Sequence, residues 1–197
     1  DVLEKLGPEF RIHVGLEASV GLRDVTVTGP NGQADVLNAA FRIAATPRHY
    51  VSSAGTAQFP YDRPDRAAHD LSSVLAAASV GDTILVTAGT YASFTIDKTL
   101  TVIASRTSDF TLRSDPAYPS IIQGASGSPA IQIVGTTTHV LLDGLVVRGG
   151  TGALFTVPEL GPVLAGGGVM CYEATATLRE CTFEANQTGS DAAPGAG

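Results

Sequence analysis

The chain has 197 residues, 44% of them hydrophobic and 16% charged, which is enough apolar material for a real core in one domain, or in one domain and part of another. Its formal net charge of −7, with no run of Lys or Arg, disfavours nucleic acid and anionic membranes as partners. No uninterrupted apolar stretch approaches the ~18 residues of a membrane-spanning helix.

With 22 glycines, 11 prolines and abundant Thr, Ser and Val, the composition favours strands and turns over helices and predicts a mainly β protein. The sequence begins at Asp1 with neither Met nor a basic-then-apolar leader, and reads as a processed or excised piece of something longer.

Residues 1–44 alternate apolar and polar positions (Phe10, Ile12, Val14; Val25, Val27; Val36), and the tripeptide Pro30-Asn31-Gly32 supplies a tight turn between strands. This is a partial β-sandwich module, since a free-standing sandwich needs about seven strands. Residues 45–64, rich in Pro, Gly, Ser and Thr, read as a linker laid over a surface. Residues 65–80 place Ala67, Ala68, Leu71, Val74, Leu75 and Ala78 on one face of an amphipathic helix, with Asp65 as N-cap.

From Gly81 onward the pattern is one of short strands joined by irregular turns. Aligning VLLDGLVVRGG with ATLRECTFEAN matches Leu142 to Leu178, Leu145 to Cys181, Val147 to Phe183 and Gly150 to Asn186, an offset of 36, whereas Val102 to Leu142 gives 40. A loose period with several short strands per unit is what a parallel β-solenoid requires, because inward residues must repeat while turns vary. Residues 81–197 are then its first coils, the stack continuing beyond them, and the helix caps the N-terminal end, where exposed strand edges would invite aggregation. Cys171 and Cys181 take inward positions in the last coil, either as buried thiols or as a disulfide across the narrow core.

The stretch HYVSSAGTAQFPYDRPDRAAHDLSSVLAAASVGDTILVTAGTY resembles the opening of right-handed parallel β-helix proteins of the pectate-lyase-like superfamily. GGGVMC and ATLRECTFEAN resemble the coils of bacterial surface proteins of the polymorphic outer-membrane type, and GLRDVTVTGPNGQADVLNAAFRI resembles the end of an Ig-like module of the IPT/TIG kind. These resemblances imply a right-handed parallel β-helix behind an Ig-like spacer in a bacterial protein that is secreted or on the cell surface. They do not specify an activity.

For chemistry, lyases and hydrolases on such a scaffold need a base with a cation, or two carboxylates roughly 5–10 Å apart. No Asp or Glu cluster recurs on successive coils, so no catalytic residue is assigned. Asp143, Arg148, Arg179, Glu180 and Glu184 read as solvated outward charges, with Asp143 and Arg179 paired across adjacent coils. Among the long loops, 105–120 carries Asp109, Arg113, Asp115 and Tyr118 as candidate glycan contacts, and 149–167 is a second excursion.

His13, His49, His69 and His139 are scattered, read as surface or linker residues, and have no metal spacing; the glycines at 166–168 precede no Lys-Ser/Thr, and neither a metal nor a cofactor is expected. Asn186, within a glycosylation sequon, reads as a left-handed turn residue. The expected function is a non-catalytic adhesive or structural module with carbohydrate or another surface protein as partner. The alternatives are the N-terminal part of a carbohydrate-active enzyme with its catalytic coils beyond residue 197, and a self-assembling filament subunit joined end to end.

Overall fold

A computed structural model describes residues 21–28, 30–43, 46–113, 116–157 and 161–188. The chain divides into two compact units between Ala45 and Thr46.

In the first unit, β1 (Gly21–Thr28) and β2 (Ala34–Ile43) form an antiparallel hairpin in which Val25 lies opposite Leu37 and Thr28 opposite Ala34. The connecting turn runs through Asn31 and Gly32, whose φ of 77° suits glycine. The register shifts between Arg23 and Val25, where the Asp24 side chain accepts a hydrogen bond from the Ala39 amide at 2.7 Å. The strand read around Phe10 to Val14 lies outside the described residues.

The second unit is built on three parallel sheets. Sheet 1 holds, in order, β3 (Arg48–Val51), β4 (Thr83–Thr87), β7 (Leu100–Arg106), β10 (His139–Asp143) and β15 (Thr175–Arg179). Sheet 2 holds β5 (Gly89–Ala92), β8 (Ser120–Gln123), β11 (Leu145–Arg148) and β16 (Thr182–Glu184). Sheet 3 holds β6 (Phe94–Ile96), β9 (Ile131–Val134) and β14 (Val169–Tyr172). From β4 onward the chain visits sheets 1, 2 and 3 in turn and then returns to sheet 1 one strand further along. We call each such passage a tier.

One apolar core joins the three sheets, because the residues facing it stack in columns from tier to tier. In sheet 1, Ile84, Val102, Leu142 and Leu178 are register partners in succession. In sheet 2, Tyr91, Ile122, Val147 and Phe183 follow one another. In sheet 3 the column is Ile96, Ile133, Cys171. The β-branched and aromatic residues at these sites suit a pleated strand with one face on a core, and each fully buried aliphatic side chain among them contributes about 1.5–3 kcal/mol. The pairing of Leu142 with Leu178 and of Val147 with Phe183 is the 36-residue register read from the sequence.

Three segments differ from their sequence reading. The proposed linker contains β3, and Val51 is fully buried in the core. The helix α1 spans only Leu71–Ala77, and its N-cap is Asp70, whose side chain accepts from the Ser73 amide at 2.8 Å. A helix cannot start at Asp65 because Ala68 is committed to a bridge with β3: its amide donates to Tyr50 at 2.9 Å and its carbonyl accepts from Ser52 at 2.8 Å. Leu71, Val74 and Leu75 of α1 are buried in the core at the β3 and β6 end of the stack. The second excursion is an antiparallel hairpin, β12 (Ala153–Val157) with β13 (Gly161–Ala165), inserted between β11 and β14.

Candidate functional site

The outward face of sheet 1 carries its own column. Tyr50, Leu85, Ile103, Asp143 and Arg179 are successive register partners. Three apolar residues pointing away from the core need a cover, and the loop 107–113 supplies it. Phe110, at φ 63° and nearly buried, joins Ala67, Leu85 and Ile103 in a second apolar cluster and meets the Tyr50 ring edge-on at 4.9 Å between centroids. The loop between β7 and β8 is therefore pinned to the sheet.

Its next residues reach one tier further. Arg113 Nη2 donates to Asp143 Oδ1 at 2.7 Å, and Arg179 donates through Nε to Asp143 Oδ2 at 3.0 Å and through Nη2 to the same oxygen. Arg113 Nη1 also lies 3.1 Å from Glu180 Oε2. The Asp143–Arg179 pair expected from the sequence is thus present, but Asp143 is not a solvated outward charge: it is 0% exposed beneath Arg113. Burial pushes its carboxyl up, and hydrogen bonds and charge from Arg179 and Arg113 outweigh that, leaving it below the ordinary 3.8.

Of the four candidate contacts in this loop, the three described ones, Asp109, Arg113 and Tyr118, do not converge. Asp109 turns back on its own loop, accepting from Thr107 Oγ1, from the Thr111 amide at 3.2 Å and from Thr111 Oγ1 at 2.8 Å. These bonds, led by that from Thr107, hold its carboxyl below the ordinary range. Asp109 shapes the loop, and Arg113 secures it. Asp115 lies outside the described residues. Tyr118 is 68% exposed and stands at a groove on the other side of the loop.

That groove, of about 400 Å³, is lined by Ser52, Ser53, Ala54, Thr87, Ala88, Arg106, Thr107, Ser108 and Tyr118. It follows the corner where sheet 1 passes to sheet 2. Its floor is fixed by buried hydroxyls: Thr87 Oγ1 lies 3.1 Å from Tyr91 Oη, Tyr91 donates to Thr87 O at 3.1 Å, and Ser120 Oγ donates to Thr87 O at 2.7 Å. Burial raises the Tyr91 phenol, so it stays protonated and serves as a donor. Several hydroxyls, one guanidinium and one exposed aromatic ring make a surface suited to a polyhydroxylated ligand. The sequence reading missed Ser52, Ser53, Thr87 and Arg106; the available signal was the Val51-Ser52-Ser53 and Val86-Thr87 pairs at equivalent strand ends.

Two further buried polar side chains, His49 and Asp82, pair with each other. His49 is buried, contrary to its reading as a surface or linker residue: Nε2 lies 3.0 Å from Asp82 Oδ2 and Nδ1 lies 2.9 Å from Pro60 O. Its register partner Ile84 begins the inner column of sheet 1, so the chain has folded the ring over that column's end. Asp82 also accepts from the Ser79 amide at 2.7 Å. His69 and His139 are exposed, and His13 lies outside the described residues. No group of three or more His, Cys, Asp or Glu is placed to hold a metal among the described residues.

Cys171 and Cys181 are free thiols. Cys171 is exposed and donates to Ala174 O at 3.1 Å; Cys181 is half-buried and lies 3.5 Å from Leu142 O and 3.4 Å from Arg179 O. Burial pushes the Cys181 thiol up. Asn186 is not the left-handed residue of its turn, a role taken by Ala185 at φ 49°. Its amide instead bridges two tiers, accepting from the Gly150 amide at 3.1 Å and donating to Val147 O at 2.8 Å.

Among the described residues no helix is long and apolar enough to cross a membrane. Comparison of the chain with protein families, curated proteins and solved structures finds no match.

Proposed function

We propose that the chain is a non-catalytic, carbohydrate-binding module of a secreted or cell-surface protein, built as a capped right-handed parallel β-helix behind an Ig-like spacer. The cyclic visiting of three parallel sheets with repeating core columns supports the β-helix. The resemblance of residues 49–186 to extracellular coils supports the location.

The groove beside Tyr118 is the observation that carries the binding function. The exposed hydroxyls of Ser53 and Ser108 can exchange hydrogen bonds with sugar hydroxyls in either direction, and the exposed Tyr118 ring offers a face on which a pyranose can lie. The non-catalytic assignment is supported by the occupation of the two buried carboxylates. Asp82 is held by His49 and the Ser79 amide, and Asp143 by Arg113 and Arg179, so neither is presented to a substrate.

A glycan array probed with the labelled chain tests this, followed by titration of the best hit against Tyr118→Ala. Loss of the ring should weaken binding about tenfold, the equivalent of ~1.4 kcal/mol. Unchanged affinity in the variant, or an array without hits, would refute the assignment.

A further inference from the structure

The chain has three asparagines, Asn31, Asn38 and Asn186, and the structure treats them differently. An asparagine is chemically labile when the amide nitrogen of the next residue can attack its Cγ, so the state of that following amide decides which of the three can react. After Asn38, the Ala39 amide donates to Asp24 Oδ1 at 2.7 Å. After Asn186, the Gln187 amide donates to Gly150 O at 2.8 Å, and the Asn186 carboxamide is itself anchored to the neighbouring tier at both ends.

Asn31 stands apart. It is exposed in the turn between β1 and β2, and among the described residues no hydrogen bond engages the amide of Gly32 that follows it. A Cβ placed on Gly32 would meet nothing within 4 Å, so water and base reach this amide, and glycine adds no side chain to shield it. Asn31 Oδ1 accepts from the Gln33 amide at 3.2 Å, and its Nδ2 donates to Gln33 Oε1 at 3.1 Å, so both bonds of the carboxamide lie within the turn. The first closes a ring of atoms that contains both Asn31 Cγ and the Gly32 nitrogen, and its N–H polarises the carbonyl for attack.

We infer that Asn31 is a site of spontaneous covalent modification, where the carboxamide is converted through a cyclic imide to aspartate and isoaspartate. Base removes the Gly32 amide proton, the nitrogen bonds to Asn31 Cγ, and the Cγ–Nδ2 bond breaks, Nδ2 leaving as ammonia with a proton taken from water. Water then opens the imide. Addition at the former side-chain carbonyl leaves aspartate, whereas addition at the main-chain carbonyl leaves isoaspartate, with the backbone now running through Cγ. Nothing is oxidised or reduced. Either product makes the net charge of −7 more negative by one unit, and isoaspartate also lengthens the turn between β1 and β2 by one backbone carbon.

Incubation of the full chain in warm, mildly alkaline buffer, followed by tryptic mapping, tests this. Cleavage after Arg23 and Arg42 gives a peptide of residues 24–42 that holds both Asn31 and Asn38. It should gain one mass unit, fragmentation should place the gain at Asn31, and both aspartyl isomers should be present. The rate should rise with pH, as removal of the amide proton requires, and should exceed the rates at Asn38 and Asn186 by about tenfold or more. Asn31→Ser should abolish the gain. An unchanged peptide, a gain placed at Asn38, a gain that survives in Asn31→Ser, or aspartate without isoaspartate would overturn the inference.

Discussion

Asp143 stands in an outward column directly after Tyr50, Leu85 and Ile103, and it is held in the folded chain by two guanidiniums that are themselves 38% and 52% exposed. Because its folded carboxyl titrates below the ordinary 3.8, the stability it contributes is complete above that value and is lost as the pH falls through the lower folded value. Asp143→Asn should therefore cost about 1–3 kcal/mol near neutrality and progressively less as the pH falls below 3.8, as urea unfolding at about pH 7 and through the acid range would read. The turns that leave sheet 2 after β11 and β16 show a second residue-level effect. Gly149 has φ 71° and its counterpart one tier on, Ala185, has φ 49°, so alanine occupies a conformation that glycine adopts more easily. Ala185→Gly should raise stability by about 0.5–1 kcal/mol, whereas Gly149→Ala should lower it, since a side chain at φ 71° is strained; thermal melts of the two variants decide. At the thiols, exposed Cys171 should alkylate well before half-buried Cys181, whose thiol is raised, and mass spectrometry over a time course would show the order.

Among the elements, the loop 107–113 depends on one ring. Phe110 is its apolar anchor, so Phe110→Ala should release it: hydrogen exchange should show lost protection across 107–113 while the core strands stay protected. Under the proposed function, glycan affinity at the adjoining groove should fall in the same variant, because Thr107 and Ser108 of that loop line it. Much of the strand register was legible from the sequence, since the alignment of Leu142 with Leu178 and Val147 with Phe183 rests on inward residues that must repeat. The burial of Asp143 was not legible. It depends on Arg113, 30 positions earlier, which is brought over the column by the packing of Phe110, and a local charge pattern carries no trace of that. The start of α1 was misplaced for a related reason: the Ala67-Ala68 pair looks helical by spacing, but a strand bridge to Tyr50 and Ser52 claims it first.

For the molecule as a whole, stability accumulates tier upon tier, each resting on its neighbours, so equal substitutions should cost unequally along a column. Leu142→Ala should cost about 2–4 kcal/mol, while Leu178→Ala, at a side chain already 44% exposed, should cost less than about 1 kcal/mol. Chemical denaturation of both variants measures the gradient. The hairpin of β12 and β13 leaves this arrangement after sheet 2 and rejoins it at sheet 3, each strand finding its ladder partner in the other. The ladders of the stack therefore do not run through that ribbon, and lengthening it should leave their register unaltered, which makes the hairpin a natural platform for displaying an epitope or a reporter.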